Sequence, residues 1–506
     1  MKKVIFSAAA LMIGAVALGQ TTSVSSEADF QGTPLTSPII NTATIENADI
    51  VGTGSAPGNS NTGHSVQSAT IPAAGNSMKA RQEGEKNSIV GFQTGASNLV
   101  SMRQTGNVNG NAADSGEANK IYSDQIGVGN DGRLEQQGDF NQAILVQDNT
   151  AFAGTLGNRA DIQQGTADQA EKNFAAVDQF GDDNEAKVLQ TFDNSDAFVI
   201  QSGERNAVEI NQRADPENSQ GHEALVEQFG NDNSALVNQN ADGMKGRNYA
   251  RVFSFGDNNQ SEQTQTTNSN TRGNTALVNQ GVDASIGGSL FNSAEYANIV
   301  AIDNVMNGGA NQASSYSQAI QDQKGHDNVA ESHQFGAGTS AINGDYTMQV
   351  QDGEDNEAYA FQNAYGTATG RGNSADTFQQ GDDNYVATGQ NGRNNDVVVS
   401  QMGSDNSAIG TQRGRDHVMD LRQNGDHNAI EASQRGLGNS MVITQNGGHS
   451  WHADQDVPGG LPNGGNSLDV IQTGPTGALG TAAQTAQSVG RAGFTGLAAP
   501  RSGSGL

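Results

Sequence analysis

Between Asn373 and Gln445 a glutamine recurs every eleven residues, at Gln379, Gln390, Gln401, Gln412, Gln423, Gln434 and Gln445. Two residues after each comes a glycine: Gly381, Gly392, Gly403, Gly414, Gly425, Gly436 and Gly447. Five residues after each glutamine the unit restarts, at Asn384, Asn395, Asn406, Asn428 and Asn439, with His417 in one of the Asn places. The motif is N-x5-Q-x-G-x2-N. A fixed period sustained over such a length marks a repeat architecture.

The spacing has a geometric consequence. Six steps separate Asn from Gln, so in an extended strand both side chains point to one face, together with the residues at plus two and plus four. Those pairs are Ala375/Thr377, Val386/Thr388, Val397/Val399, Ala408/Gly410, Met419/Leu421, Ile430/Ala432 and Met441/Ile443. The positions between them are mostly polar, as in Asp376, Glu431 and Thr444, with Val398 and Ile409 as exceptions. This predicts strands of about seven residues, each with one buried face closed at both ends by an inward amide. The x-G-x-x link predicts a tight turn that uses the backbone freedom of glycine. The expected fold is all-β: a β-solenoid with cross-β stacking.

Composition narrows the alternatives. Hydrophobic residues make up 34 % and aromatics 5 %, too little for a conventional core in a chain of 506 residues. With 65 glycines the choice lies between disorder and a thin repetitive β-structure. The strict period decides for the second, in which stacked units bury a narrow core. The net charge of −29 becomes about −31 once Lys2 and Lys3 leave with the leader. So acidic a chain does not bind nucleic acid or an anionic membrane through bulk electrostatics, and solubility is the plain reading of the excess. Cysteine is absent, which excludes disulfides and thiolate metal sites.

In chain order, residues 1–19 read as a signal peptide: Lys2 and Lys3, a largely apolar Val4–Leu18, and small residues before a cut near Gly19. Residues 20–75, with Pro34, Pro38, Pro57 and Pro72, read as a flexible Ser/Thr/Gly/Pro-rich leader. Repeats with inserts are expected over 76–472, and a loose Gly/Ala-rich tail over 473–506. Early copies carry Gln82, Gln93 and Gln104, then Gln125, Gln136 and Gln147. A further run has Gln179, Gln190, Gln201 and Gln212, with Asn184, Asn206, Gly181 and Gly203 in their places. Only Pro216 among nine prolines lies between Asn76 and Gln445, as expected where every N–H joins a ladder. Between 222 and 280 short and long links alternate, which predicts two strands per coil and one edge that tolerates insertions. Residues 281–322 look degenerate, and the pattern fades after Gln445 before returning at Asn466–Gln472.

The motif resembles the curlin repeat, the unit of curli fibre subunits, whose two-strand pattern is S-x5-Q-x4-N-x5-Q with a Gly in the turn. Asn173–Gln179–Asn184–Gln190 and Asn395–Gln401–Asn406–Gln412 fit that spacing, with Asn in place of Ser at the first position. The resemblance covers most of residues 76–472. The chain departs from the small curli subunits in carrying several times their repeats and in breaking register with inserts. The resemblance implies export of the unfolded chain through an outer-membrane channel. It also implies assembly outside the cell, with itself and with other curli-like subunits, into amyloid fibres that bind surfaces and build biofilm.

No nucleophile–base constellation stands out, and neither enzymatic activity nor a cofactor is expected. His417 reads as drift at a ladder position. The acidic turns around Asp182, Asp183, Asp382 and Asp383 are weak Ca²⁺ candidates through oxygen ligands. Solvated turns that discourage premature association are the favoured reading of them. The expected function is a structural subunit of an extracellular fibre. The alternative is a monomeric secreted β-solenoid adhesin.

Overall fold

A computed structural model describes residues 48–51, 62–69, 76–83, 87–105, 119–150, 156–165, 170–214, 221–241, 246–281, 314–335, 344–363, 372–456 and 465–474. The expected signal peptide and nearly all of the tail lie outside them. Among the described residues the regular elements are all β-strands, and no helix is long and apolar enough to cross a membrane.

The strands fall into two compact units, residues 1–248 and 249–506. In the second unit one parallel ladder runs from Gln260–Thr266 to Ser467–Thr473, and the other from Tyr249–Phe255 to Ser450–Asp456. Consecutive strands alternate between the two ladders, so each coil has two strands. The same alternation builds the first unit, from Ala48–Val51 to Ser234–Asn240 in one ladder and from Thr62–Ala69 to Glu223–Phe229 in the other. The first unit departs from strict alternation once, where the two-residue strand Ala170–Glu171 follows Arg159–Gln164 in the same ladder and pairs with the end of Asp131–Asp139.

Register follows the glutamines. Gln379 lies beside Gln401, then Gln423, Gln445 and Gln472; in the other ladder Gln390 leads to Gln412, Gln434 and Gln455. A slip of one residue would turn every inward side chain outward, so the amides and the apolar pairs specify the same register. The expected inward residues are buried: Val397, Val399, Met419, Leu421, Met441 and Ile443 belong to one core cluster of the second unit. Full burial of each such side chain contributes about 1.5–3 kcal/mol. The core is so thin that volumes must complement one another. A Cβ on Gly410 would stand 3.0 Å from Met419 Sδ, and one on Gly132 would stand 2.5 Å from Leu145 Cδ2.

The two outward exceptions have different fates. Val398 stays 36 % exposed, whereas Ile409 packs on the outer face of its ladder with Tyr359, Phe361 and Ala387. Insertions favour one edge in each unit. In the second, 282–313, 336–343, 364–371 and 457–464 all connect the ladder that starts at Tyr249–Phe255 to the other one. A loop at an edge leaves the ladders on both faces intact, so length is tolerated there.

The ladders also extend beyond the visible period. Ala48–Val51 pairs with Ser77–Glu83, and Thr62–Ala69 with Ser88–Ala96, so strands lie within the stretch 20–75. Gln318–His326 continues its ladder within 281–322, with Gln323 beside Gln265 and Gln351. After Gln445 the next strand, Ser450–Asp456, keeps the register. Its Gln455 comes ten residues on rather than eleven because the turn is one residue shorter. Trp451, in the register of Ile430, packs there against the core.

Candidate assembly site: the amide ladders

Each inward glutamine makes two kinds of hydrogen bond at once. Gln401 Nε2 donates to Tyr385 O at 3.0 Å, across the coil to the facing strand, and to Gln423 Oε1 at 2.8 Å in the next coil. A carbonyl only accepts, so the bond to Tyr385 O fixes which end of the amide is nitrogen. The remaining N–H then points along the stack. Gln412 repeats the arrangement, to Asp396 O at 2.8 Å and Gln434 Oε1 at 3.0 Å. The chain of amides links Gln379, Gln401, Gln423, Gln445 and Gln472 in one ladder. It links Gln390, Gln412, Gln434 and Gln455 in the other. In the first unit Gln179 bonds Gln201 and then Gln228, and Gln190 bonds Gln212 and then Gln239. All these glutamines but the two terminal ones are at most 3 % exposed.

The asparagines form a second column of opposite polarity. Asn406 donates both its backbone N–H and Nδ2–H back to Asn384 Oδ1, at 3.2 and 3.0 Å. Asn384 Nδ2 also reaches forward to Gly403 O at 2.8 Å, binding the next turn. Asn184 and Asn206 do the same towards Gly203 and Gly230, as Asn395 does towards Gly414. Asn428 donates to its own turn at Gly425 O, and Asn439 both to its own turn at Arg435 O and forward to Gln455 O at 3.2 Å. Glutamine Nε2 groups thus donate to later coils, whereas asparagine donates back to the earlier Asn oxygen and, at several coils, forward to the next turn as well. A coil has its amides fully paired only with a coil on each side.

The turn glycines are required by stacking as well as by the turn. Gly392 has φ +127°, and a Cβ there would stand 1.7 Å from Gly414 O in the next coil. Gly181, Gly203, Gly381, Gly403 and Gly414 meet the following glycine carbonyl in the same way, at 1.9–2.5 Å, while Gly425 has 3.4 Å of clearance. Gly436 and Gly447 share the positive φ, at 108° and 88°.

The acidic turns have a conformational cause. The residue before each Asn is left-handed: Asp183 and Asp383 have φ 55°, Asp405 56° and Asn394 54°. Asp and Asn tolerate that conformation best after glycine. Asp382 uses Oδ1 to accept the Glu354 N–H at 3.1 Å. Burial, with the neighbouring carboxylates Asp355, Asp405 and Asp382, pushes the Asp383 carboxyl above its ordinary range. Asp182 is likewise raised, first by burial and then by Asp183 and Glu204, against a bond from Asn149. Among the described residues no group of three or more His, Cys, Asp or Glu is placed to hold a metal ion.

Histidine can serve as a ladder residue, which the motif alone did not reveal. His417 Nδ1 accepts the Asn439 N–H at 3.1 Å, and its Nε2 lies 3.2 Å from Arg413 O. His222 does the same with Asn248 N–H (3.2 Å) and Arg213 O (3.0 Å). Nδ1 replaces the asparagine oxygen and Nε2–H its amide N–H, so both rings are neutral Nε2–H tautomers. Burial lowers both pKa values, that of His222 to about 4. Serine fills the place at Ser195, whose N–H bonds Asn173 Oδ1 at 2.9 Å.

Residues 370–403, spanning the strands Ser374–Gln380, Tyr385–Arg393 and Asp396–Met402, match the family model of the curlin associated repeat. This segment carries a curlin associated repeat. No curated protein matches the chain. In this curlin-like segment the glutamine and asparagine of the motif belong to the two amide columns, and the turn glycine is the point where successive coils come closest.

Proposed function

We propose that the protein is a structural subunit of an extracellular curli-like amyloid fibre, which self-assembles end to end and serves adhesion and biofilm matrix. The observation that carries this reading is the double dependence of every inward amide on a coil before it and a coil after it. A terminal coil has half of that requirement unmet, and a second copy of the chain offers strands, register and amides to complete it. The curlin match supports the same reading, and with it export through an outer-membrane channel, a cell-surface location and other curli-like subunits as partners. Neither nucleic acid nor membrane insertion is part of this function.

One observation favours a secreted monomeric adhesin instead. At the first described coil the register places Ile50 beside Gln82, an apolar residue where the following strands of that ladder have glutamine in sequence. Thioflavin T fluorescence and electron microscopy of the purified mature protein test the choice. Dye-positive filaments that lengthen with time are expected. Persistent monomers under the same conditions would overturn the fibre reading in favour of the adhesin.

A further inference from the structure

In the second unit the two edges carry opposite charge. Turns leaving the ladder of Asp396–Met402 hold Glu354, Asp355, Asp382, Asp383, Asp405 and Asp426, all exposed. On the other edge the strands Tyr385–Arg393, Ser407–Arg415 and Ala429–Leu437 end in Asn-Gly-Arg, Arg-Gly-Arg and Arg-Gly-Leu. This places Arg393 beside Arg415 and Arg413 beside Arg435 in successive coils. Arg413, Arg415 and Arg435 are exposed and Arg393 is half-buried. Asp416, which accepts Asn394 Nδ2 at 2.6 Å, is the acid within this row, and Asp456 follows Arg435 in register at its end. The connecting segments 364–373 and 457–466 on the same edge contain no acidic residue.

Arg103, Arg133, Arg205, Arg247, Arg272 and Arg422 each lie in an ion pair with a carboxylate. Arg393, Arg415 and Arg435 have no such partner among the described residues. Like charges stacked at strand spacing repel, so Arg393 beside Arg415, neither in an ion pair among the described residues, is a cost that something anionic lying against them would relieve. The opposite edge has the complementary excess: at Asp355 and Asp383 burial and the adjoining carboxylates together disfavour the charged form. Arg272 pairs with Asp327 at 2.6 Å on that edge and lies near Asp355 and Glu354, while His427 approaches Asp405 and His326 approaches Glu354, each at 3.5 Å.

We propose that the arginine row is a side-by-side docking edge for the acidic turns of a second copy of this chain. Both rows repeat once per coil, at about 4.8 Å, so two solenoids with aligned axes match charge for charge over several coils. A single exposed ion pair contributes little, and only a commensurate row accumulates enough. A flexible polyanion has no such pitch, and the chain's charge of −29 repels it at a distance. This lateral contact goes beyond end-to-end growth and does not depend on it.

Charge exchange tests the proposal. One variant carries Arg393→Glu, Arg413→Glu and Arg415→Glu; the other carries Glu354→Lys, Asp382→Lys and Asp426→Lys. Circular dichroism confirms that each keeps the β fold, and Arg→Gln changes at the same three arginines give a milder version. Light scattering, sedimentation and particle width in micrographs read lateral association, while particle length reads end growth. Wild-type chains are expected to associate laterally at about 0.1 M NaCl and to separate at about 0.5 M, where the screening length is about 4 Å. Each variant alone should lose this association, and an equimolar mixture of the two should regain it. Arginine variants that associate like wild type, or a mixture that does not recover, would overturn the proposal. So would loss of binding to a polyuronate by the arginine variants with self-association unchanged, which would assign the row to an acidic polysaccharide. Length growth that persists while width is lost separates this edge from the fibre reading.

Discussion

At the scale of single residues, the inward glutamine does most to hold the coils together. Replacing Gln401 by leucine removes the acceptor of Gln379 Nε2 and the donor to both Tyr385 O and Gln423 Oε1. Stranding buried polar partners in this way costs about 1–3 kcal/mol. Gln401→Leu and Gln412→Leu are therefore expected to lower the unfolding midpoint and slow filament growth, whereas Ser407→Ala on the outer face should change neither. Equal effects for inward and outward changes would contradict the amide columns. Glycines divide in the same way. Gly392→Ala forces a methyl to 1.7 Å from a backbone carbonyl at φ +127°, whereas at Gly389 the nearest atom is Thr411 Cγ2 at 3.9 Å. Gly392→Ala should cost more than about 1 kcal/mol and Gly389→Ala nearly nothing in thermal unfolding. The inward identity of these residues was legible from the even Asn-to-Gln spacing. The role of Asp183 and Asp383 was not, because charge in the sequence conceals the left-handed φ that their position demands.

At the scale of the strand and its coil, substitutions that preserve hydrogen-bond roles preserve the ladder. His222 titrates near about 6.5 in an unfolded chain and at about 4 in the fold. Protonation would put a donor on Nδ1 against the Asn248 N–H, so stability is intact above about pH 6.5. It falls as pH drops below that value and levels off near pH 4, with a loss of about 3 kcal/mol. His222→Asn should remove this part of the pH dependence in urea unfolding. Retention of the full acid sensitivity would contradict the assigned tautomer. Two strands per coil were readable from alternating link lengths, but not one insertion-tolerant edge: 267–274 leaves the ladder of Gln260–Thr266, whereas 282–313 leaves the other. The strands at Gln318–His326 and Ser450–Asp456 escaped for local reasons. In the first, Ser317 stands where an asparagine was expected, and in the second the turn is one residue short, so the period breaks while the register survives.

At the scale of the whole molecule, charge opposes what the amides favour. The net charge of −29 repels other copies over about 10 Å at 0.1 M salt. Lower pH relieves this. Asp124 and Asp178 are raised to about 6, first by burial and then by Asp148, so the folded chain takes up protons before the unfolded one does. These groups gain stability as pH falls through about 6, opposite in sign to the histidines. The lag before filament growth should therefore shorten from about pH 7.5 to about pH 5.5, and moderate NaCl should act in the same direction. A lag flat in both would leave the acids as solubilisers alone.

The central claim is that paired parallel ladders, tied by amide columns, continue from one chain into the next. Cryo-electron microscopy of filaments grown from the mature protein tests it most directly. The account predicts strands stacked about 4.8 Å apart along the filament axis, two per coil, with glutamine columns running unbroken across each junction between chains. Filaments whose strands do not stack along the axis, or whose subunits meet without a shared ladder, would contradict it.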